Sequence, residues 1–153
     1  MVAFALHLHE SATVYKHVDM AANEGFEEIL LIGHIGKLIK VSGGVMNTHS
    51  READCRAELM AVAAIRAGAD AELARKILEC VTTDEMLRVI KEAGLLEKTM
   101  AAVEEKIDFY LKNRVRDKCV VGTIVFSEEY GALCTTGPAG AWLEEMRKRE
   151  ISE

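Results

Sequence analysis

The chain has 153 residues, the length of one domain with a single core. Apolar residues make up 50% and charged residues 29%, the balance of an ordinary globular protein, and a single proline argues against a linker-rich or disordered chain. The net charge of −6 repels a nucleic-acid duplex or an anionic membrane, so neither is an expected partner.

Residues Val2 to His7 suggest a first strand, with Val2, Phe4 and Leu6 on one face. Ser11 to Asn23 reads as a helix: Val14, Val18 and Ala21 recur about one turn apart, and Gly25 stops it. Glu28 to Gly33 contains four consecutive aliphatics, Ile29 to Ile32. Such a run fits a strand buried on both faces, as in a helix-flanked parallel sheet. Four helices are expected next. The first runs from about Ser50 to Ala67 and the second from Asp70 to Cys80. The third starts at Thr82, where Thr82 and Glu85 have capping-box spacing, and ends at Gly94. The fourth carries the apolar stripe Leu96, Met100, Val103, Ile107 and Leu111. Glycines at the junctions suit left-handed helix ends. The pattern then changes to β. Cys119 to Phe126 and Gly131 to Thr135 can pair through a turn at Ser127–Tyr130. Pro138 opens a last helix, with Trp142 and Met146 facing inward and Glu144/Lys148 and Glu145/Arg149 paired on the surface. The fold class expected is α/β or α+β: a small, mostly parallel sheet with flanking helices, a central helical run, and a C-terminal strand pair plus helix.

The cysteines Cys55, Cys80, Cys119 and Cys134 have no Cys-x-x-Cys spacing, so they read as reduced thiols of a cytoplasmic protein. The N-terminal residues lack the basic start of a signal peptide, and the aliphatic run Leu59 to Ile65 is too short to cross a bilayer. The five histidines, His7, His9, His17, His34 and His49, suggest no ligand set, so no metal is expected.

The informative window is Ile29 to Arg51. Its 23 residues contain Lys37, Lys40 and Arg51 and no acid, in a chain of net −6. They also include Gly33, Gly36, Gly43 and Gly44. A buried strand that ends in a glycine turn marks the carboxyl edge of a sheet, where α/β proteins build ligand sites. The cations suggest a ledge for an anionic ligand; the bland alternative is a strand–helix turn with solvated lysines. The run Gly33-His34-Ile35-Gly36-Lys37-Leu38 is not a phosphate loop, because its spacing is too short and Leu38 stands where a hydroxyl must hold magnesium. It also lacks Gly-x-Gly-x-x-Gly. Asn47-Thr48-His49-Ser50 reads as a helix cap that can also present amides and His49 to a ligand.

Two runs are distinctive: Ile29-Leu30-Leu31-Ile32-Gly33-His34-Ile35-Gly36-Lys37-Leu38-Ile39-Lys40, and Gly43-Gly44-Val45-Met46-Asn47-Thr48-His49-Ser50-Arg51-Glu52-Ala53-Asp54. With the preceding Asp19 to Phe26, they resemble the cobalt-precorrin-5B (C1)-methyltransferase family (CbiD). The downstream helices and strands fit more loosely. The resemblance covers the C-terminal half of a family pattern about twice this long. Where that pattern has a Cys-Ser-Asn-Phe-like segment, this chain has Glu10-Ser11-Ala12-Thr13. The resemblance implies methyl transfer from S-adenosyl-L-methionine to C1 of a cobalt-containing tetrapyrrole in anaerobic cobalamin biosynthesis. It implies Lys37, Lys40, Asn47, Thr48, Ser50 and Arg51 as substrate-binding residues. His34 and His49 would handle protons, and Gly33 and Gly36 would admit the cofactor or the edge of the macrocycle. A separate N-terminal half, or self-association, is the protein partner it implies. The alternatives left open are a non-catalytic corrinoid- or anion-binding module and a docking domain.

Overall fold

The computed structural model describes residues 3–8 and 13–151. The elements run β1 (Ala3–Leu8), α1 (Val14–Asn23), β2 (Glu28–His34), α2 (Ile35–Val41), α3 (Arg56–Arg66), α4 (Ala71–Glu79), α5 (Thr83–Glu92), α6 (Leu96–Val115), β3 (Val120–Ser127), β4 (Gly131–Thr136) and α7 (Ala139–Ile151). The expectations for the Val2, Phe4 and Leu6 face, for His7 and His9, and for residues 10–12 lie outside what the structure describes.

The strands form one sheet in the order β1-β2-β3-β4. β1, β2 and β3 are parallel, and β4 returns antiparallel to β3. The β2–β3 register sets Ile29 beside Val121 and Leu30 beside Gly122, so alternate side chains fall on opposite faces. Ile29, Leu31, Val121 and Val125 point into the main core, with Val14 and Val18 of α1 and Met100, Val103, Ile107 and Leu111 of α6. Leu30 and Ile124 face the other way, against Ala139 and Trp142 of α7. The expected aliphatic run is therefore covered on both sides, as a parallel strand flanked by helices requires.

Gly122 permits the second layer. A Cβ there would lie 2.8 Å from the Trp142 ring and 3.0 Å from Ala139, so only glycine lets α7 rest on β3. Trp142 does turn inward. Met146 does not: it is 40% exposed, one turn beyond Trp142. Glu145 and Arg149 pair at 2.7 Å on the outer face, as their spacing suggests.

The helix ends follow local chemistry closely. At the start of α5, Thr82 Oγ1 accepts the Glu85 N–H at 3.2 Å, and the Glu85 carboxylate accepts the Thr82 N–H at 3.1 Å. That is the capping box its spacing announced. α1, α3 and α5 end at Gly25, Gly68 and Gly94, all at positive φ. In each, the next residue's N–H returns to a carbonyl of the last turn, as in Phe26 to Ala21, Ala69 to Ala64 and Leu95 to Ile90.

Two boundaries differ from expectation. The helix expected from Ser50 starts only at Arg56. Side chains in the intervening segment capture the backbone: Asn47 Oδ1 accepts the His49 N–H, and His49 Nδ1 accepts the Arg51 N–H. The His49 carbonyl also accepts from Glu52 and Ala53. These local bonds hold residues 47–53 in turns and compete with a helical ladder. The second difference is α2, a seven-residue helix that follows β2 without a loop. Its buried Ile35, Leu38, Ile39 and Val41 continue the aliphatic run of the strand, so the change of period falls inside one apolar stretch.

Candidate functional site

The acid-free window folds into β2, then α2, then a turn-rich return. α2 begins at the carboxyl edge of the sheet, where His34 ends the strand and caps the helix. His34 Nδ1 accepts the Gly36 N–H at 3.0 Å. A ring nitrogen that accepts carries no proton, so the proton sits on Nε2. The ring meets Phe126 of β3 edge-on, at 5.8 Å between centroids. Lys37 lies half-buried in the first turn of α2, and Thr83 at the start of α5 packs against Gly36.

Gly33 and Gly36 were expected to admit a cofactor or macrocycle edge. In the structure the space beside each is filled from within. A Cβ on Gly33 would meet Leu38 Cδ1 at 2.9 Å. One on Gly36 would lie 3.1 Å from His34 Nδ1 and 3.5 Å from Thr83 Oγ1. Close packing of β2, α2 and α5 accounts for both glycines.

The second group lies at the other end of α2. Lys40, in its last turn, is 2% exposed, and its ammonium donates to the Thr48 carbonyl at 3.0 Å. A cation there complements the negative end of the helix. Thr48 is itself buried. Its neighbour Asn47 forms a β-bridge with Thr13, and Tyr15 N–H reaches the Met46 carbonyl. This anchors the return segment beside the start of α1. Beyond Thr48 the chain turns outward, and His49, Ser50 and Arg51 are exposed. His49 repeats the device seen in His34: Nδ1 takes a backbone N–H two residues ahead, at 3.1 Å, leaving Nε2–H to face outward.

The three cations of the window thus do not form one exposed ledge. Lys37 and Lys40 occupy the first and last turns of a short helix, roughly 4–5 Å apart along its axis. Arg51 stands on the exposed turn beyond Thr48. Lys40 departs furthest from expectation, because a buried ammonium cannot meet a ligand from bulk solvent. Its field still reaches Asp54. The Arg56 guanidinium on Asp54 is the main influence that lowers that carboxyl below its usual range, and Lys40 adds a smaller pull.

Sequence reasoning did not anticipate Phe126 or Thr83, which complete the surroundings of His34 and Gly36. Both come from distant segments, and no spacing announces such a meeting. A further feature is a groove of about 190 Å³ between α3 and α6, lined by Gly43, Leu59, Val62, Arg66, Lys106 and Tyr110. Gly43, itself in that lining, is the nearest sequence signal for it: a Cβ there would lie 2.7 Å from the Leu59 side chain. Among the described residues no group of three His, Cys, Asp or Glu side chains could hold a metal ion. Among them, too, no helix is long and apolar enough to cross a membrane.

These features define an α/β domain in which Lys37 and Lys40 sit on one short helix capped by His34, with His49 and Arg51 on the exposed turn behind it. The family model for the C-terminal domain of CbiD matches residues 47–137, more than half of the chain, and the chain belongs to that family. The cobalt-precorrin-5B C(1)-methyltransferase of Alkaliphilus metalliredigens is 36% identical over 136 residues, covering 89% of this chain and 36% of that protein. The proteins of the same name from Ruminiclostridium cellulolyticum and Methanocaldococcus jannaschii are 40% identical over 111 residues and 36% identical over 107 residues. Those matches cover 72% and 68% of this chain, and 29% and 30% of the relatives. The chain thus spans about a third of the length of these relatives, rather than the half that the family pattern suggested. No solved structure matches.

Proposed function

We propose that this chain supplies the carboxylate-binding part of a cobalt-precorrin-5B (C1)-methyltransferase of anaerobic cobalamin biosynthesis. The carrying observation is the kinship just described: relatives bearing that name align with most of the chain. The substrate implied is a cobalt-containing tetrapyrrole fringed with carboxylates, and the methyl donor is S-adenosyl-L-methionine. We place the protein in the cytoplasm, and its acidic net charge disfavours a nucleic-acid or membrane partner.

In this reading Lys37 and Arg51 hold substrate carboxylates. Asn47, Thr48 and Ser50 shape the turn that carries Arg51. His34 and His49 donate Nε2–H to carbonyl or carboxylate oxygens of the macrocycle. Their Nδ1 atoms are occupied by backbone N–H groups, which favours hydrogen-bond donation over proton abstraction. Methyl transfer is a displacement at carbon, so binding and alignment contribute more than acid–base work. No residue is assigned to the methyl donor. The filled space at Gly33 and Gly36 supports a second reading, in which this chain binds corrinoid and the donor is held elsewhere.

The test is calorimetric titration with a carboxylated corrinoid precursor and, separately, with S-adenosylmethionine, followed by a methyl-transfer assay. Salt-sensitive corrinoid binding that falls at least tenfold in a Lys37→Ala, Arg51→Ala double variant is expected. Undiminished binding by that variant would sink the proposal. Corrinoid binding with no donor binding and no transfer would select the second reading.

A further inference from the structure

We propose that the α3–α6 groove and the hollow beyond Tyr110 form one polyanion-binding face, which holds the acid-bearing rim of a flat ring system along α6. This rests on the reading that the ligand is a carboxylated tetrapyrrole. It adds a binding face whose cations, Arg66, Lys106 and Arg116, lie outside the Ile29–Arg51 window.

Two concave surfaces share Tyr110 in their linings. One is the groove of about 190 Å³ between α3 and α6. The other, of about 400 Å³, lies toward the end of α6 and is lined by Gly44, Met46, Asn113 and Arg116 as well. The two linings include Arg66, Lys106, Arg114 and Arg116 and no Asp or Glu. In a chain of net −6 that is a local reversal of sign, and it draws an anion. Leu59, Val103 and the half-exposed Val62 also line the groove, so the anion it suits carries an apolar body.

Three of these cations are uncommitted. Arg114 is taken by Asp19, and Lys112 on the same helix by Asp108. None of the ion pairs among the described residues includes Arg66, Lys106 or Arg116. Lys106 Nζ instead lies 5.3 Å from the centre of the Phe109 ring and 6.0 Å from that of Tyr110. Arg116 and Asp117 are consecutive non-glycine residues in the left-handed region, at φ 47° and 62°. Glycine would hold that backbone at lower cost, yet an arginine stands at the edge of the hollow. The shared wall is already fixed, because the Tyr110 ring packs so closely on Gly44 that a Cβ there would lie 2.9 Å away. Lys106 and Arg116 stand about 15 Å apart along the helix. A small monoacid reaches one of them. A flat ring system with acids around its rim reaches both while resting on Tyr110, and each contact is a charge-assisted hydrogen bond.

The experiment uses the full chain. The probe is uroporphyrin, a tetrapyrrole fringed with carboxylates, with its methyl ester as the uncharged comparison. Arg66→Gln, Lys106→Gln is expected to weaken uroporphyrin binding at least tenfold with unchanged circular dichroism. Lys76→Gln, Arg88→Gln removes the same charge from α4 and α5 and is expected to leave binding within twofold. Arg116→Gly is expected to weaken binding at least threefold without lowering the melting temperature, since glycine suits that backbone. In the unaltered chain the amide resonances of Gly43, Gly44 and Asn113 are expected to shift saturably with uroporphyrin and to stay in place with the ester. Uroporphyrin binding with those amides unmoved, or weakened equally by the two double variants, would overturn this inference and leave the reading of the ligand standing. No binding of uroporphyrin or of a carboxylated corrinoid would overturn both.

Discussion

Arg114 near the end of α6 grips Asp19 of α1 through two guanidinium bonds, one of them 2.8 Å long, and its guanidinium also lies over the Tyr15 ring. This contact fastens the long helix to the first one. The bidentate hydrogen bond from Arg114 is the chief reason that the Asp19 carboxyl lies below its ordinary range. A lowered carboxyl contributes stability above its unfolded value, about 3.9, and loses it as the pH falls through the folded value. Both side chains are about 40% exposed, so screening holds the effect to roughly 1 kcal/mol or less. Arg114→Met should return Asp19 toward its usual titration in a carbon-detected NMR experiment. It should also remove one component of the stability change below pH 4.

The capping box of α5 gives a stability prediction. Thr82→Ala removes the acceptor for the Glu85 N–H and breaks the reciprocal arrangement. A loss of about 1 kcal/mol is expected, with Thr82→Asp retaining most of it, by urea denaturation.

Gly44 and Gly25 form a matched pair. Both have positive φ, but a Cβ on Gly44 would press against the Tyr110 ring at 2.9 Å, whereas one on Gly25 would meet nothing within 4 Å. Gly25→Ala should cost roughly 1–2 kcal/mol through backbone strain alone. Gly44→Ala should cost roughly 2–4 kcal/mol, because the overlap with Tyr110 is added. Equal melting temperatures for the two variants would contradict the packing at Tyr110.

Cys134 on β4 should be the slowest thiol to react. Burial is the main cause that pushes it up to about 12, with Glu104 adding to the shift. At pH 8 only about one in 10,000 of such thiols is ionised, and the thiolate is the nucleophile. Timed alkylation with iodoacetamide and mass spectrometry should show Cys134 still unmodified when Cys55 has reacted.

Much of the fold was legible because its signals are local. The Thr82–Glu85 box, the glycine helix ends and the Met100–Leu111 stripe need only neighbouring residues to be read. α2 was hidden because Ile35 to Val41 extend the apolar run of β2, and its cap is a histidine rather than a Ser, Thr, Asp or Asn. Arg56 replaced Ser50 as the start of α3 because side-chain bonds from Asn47 and His49 won the local competition. The charge window singled out the segment that folds into β2, α2 and the return turn. It could not show that Lys40 turns inward, since charge counting records a cation without its burial. Phe126 and Thr83 reach their places only through the sheet and the α2–α5 contact.

The parallel pairing of β2 with β3 also has a kinetic consequence. Glu28 sits beside Val120, yet the whole run of helices α2–α6 lies between them. Joining such distant segments closes a long loop, whose entropy loss must be offset before the central strand pair can hold. The helical insert can gather locally first, through neighbouring contacts and its own caps. The β2–β3 pairing is then expected to close late, and a core substitution in α3 or α6 is expected to slow that closure from a distance.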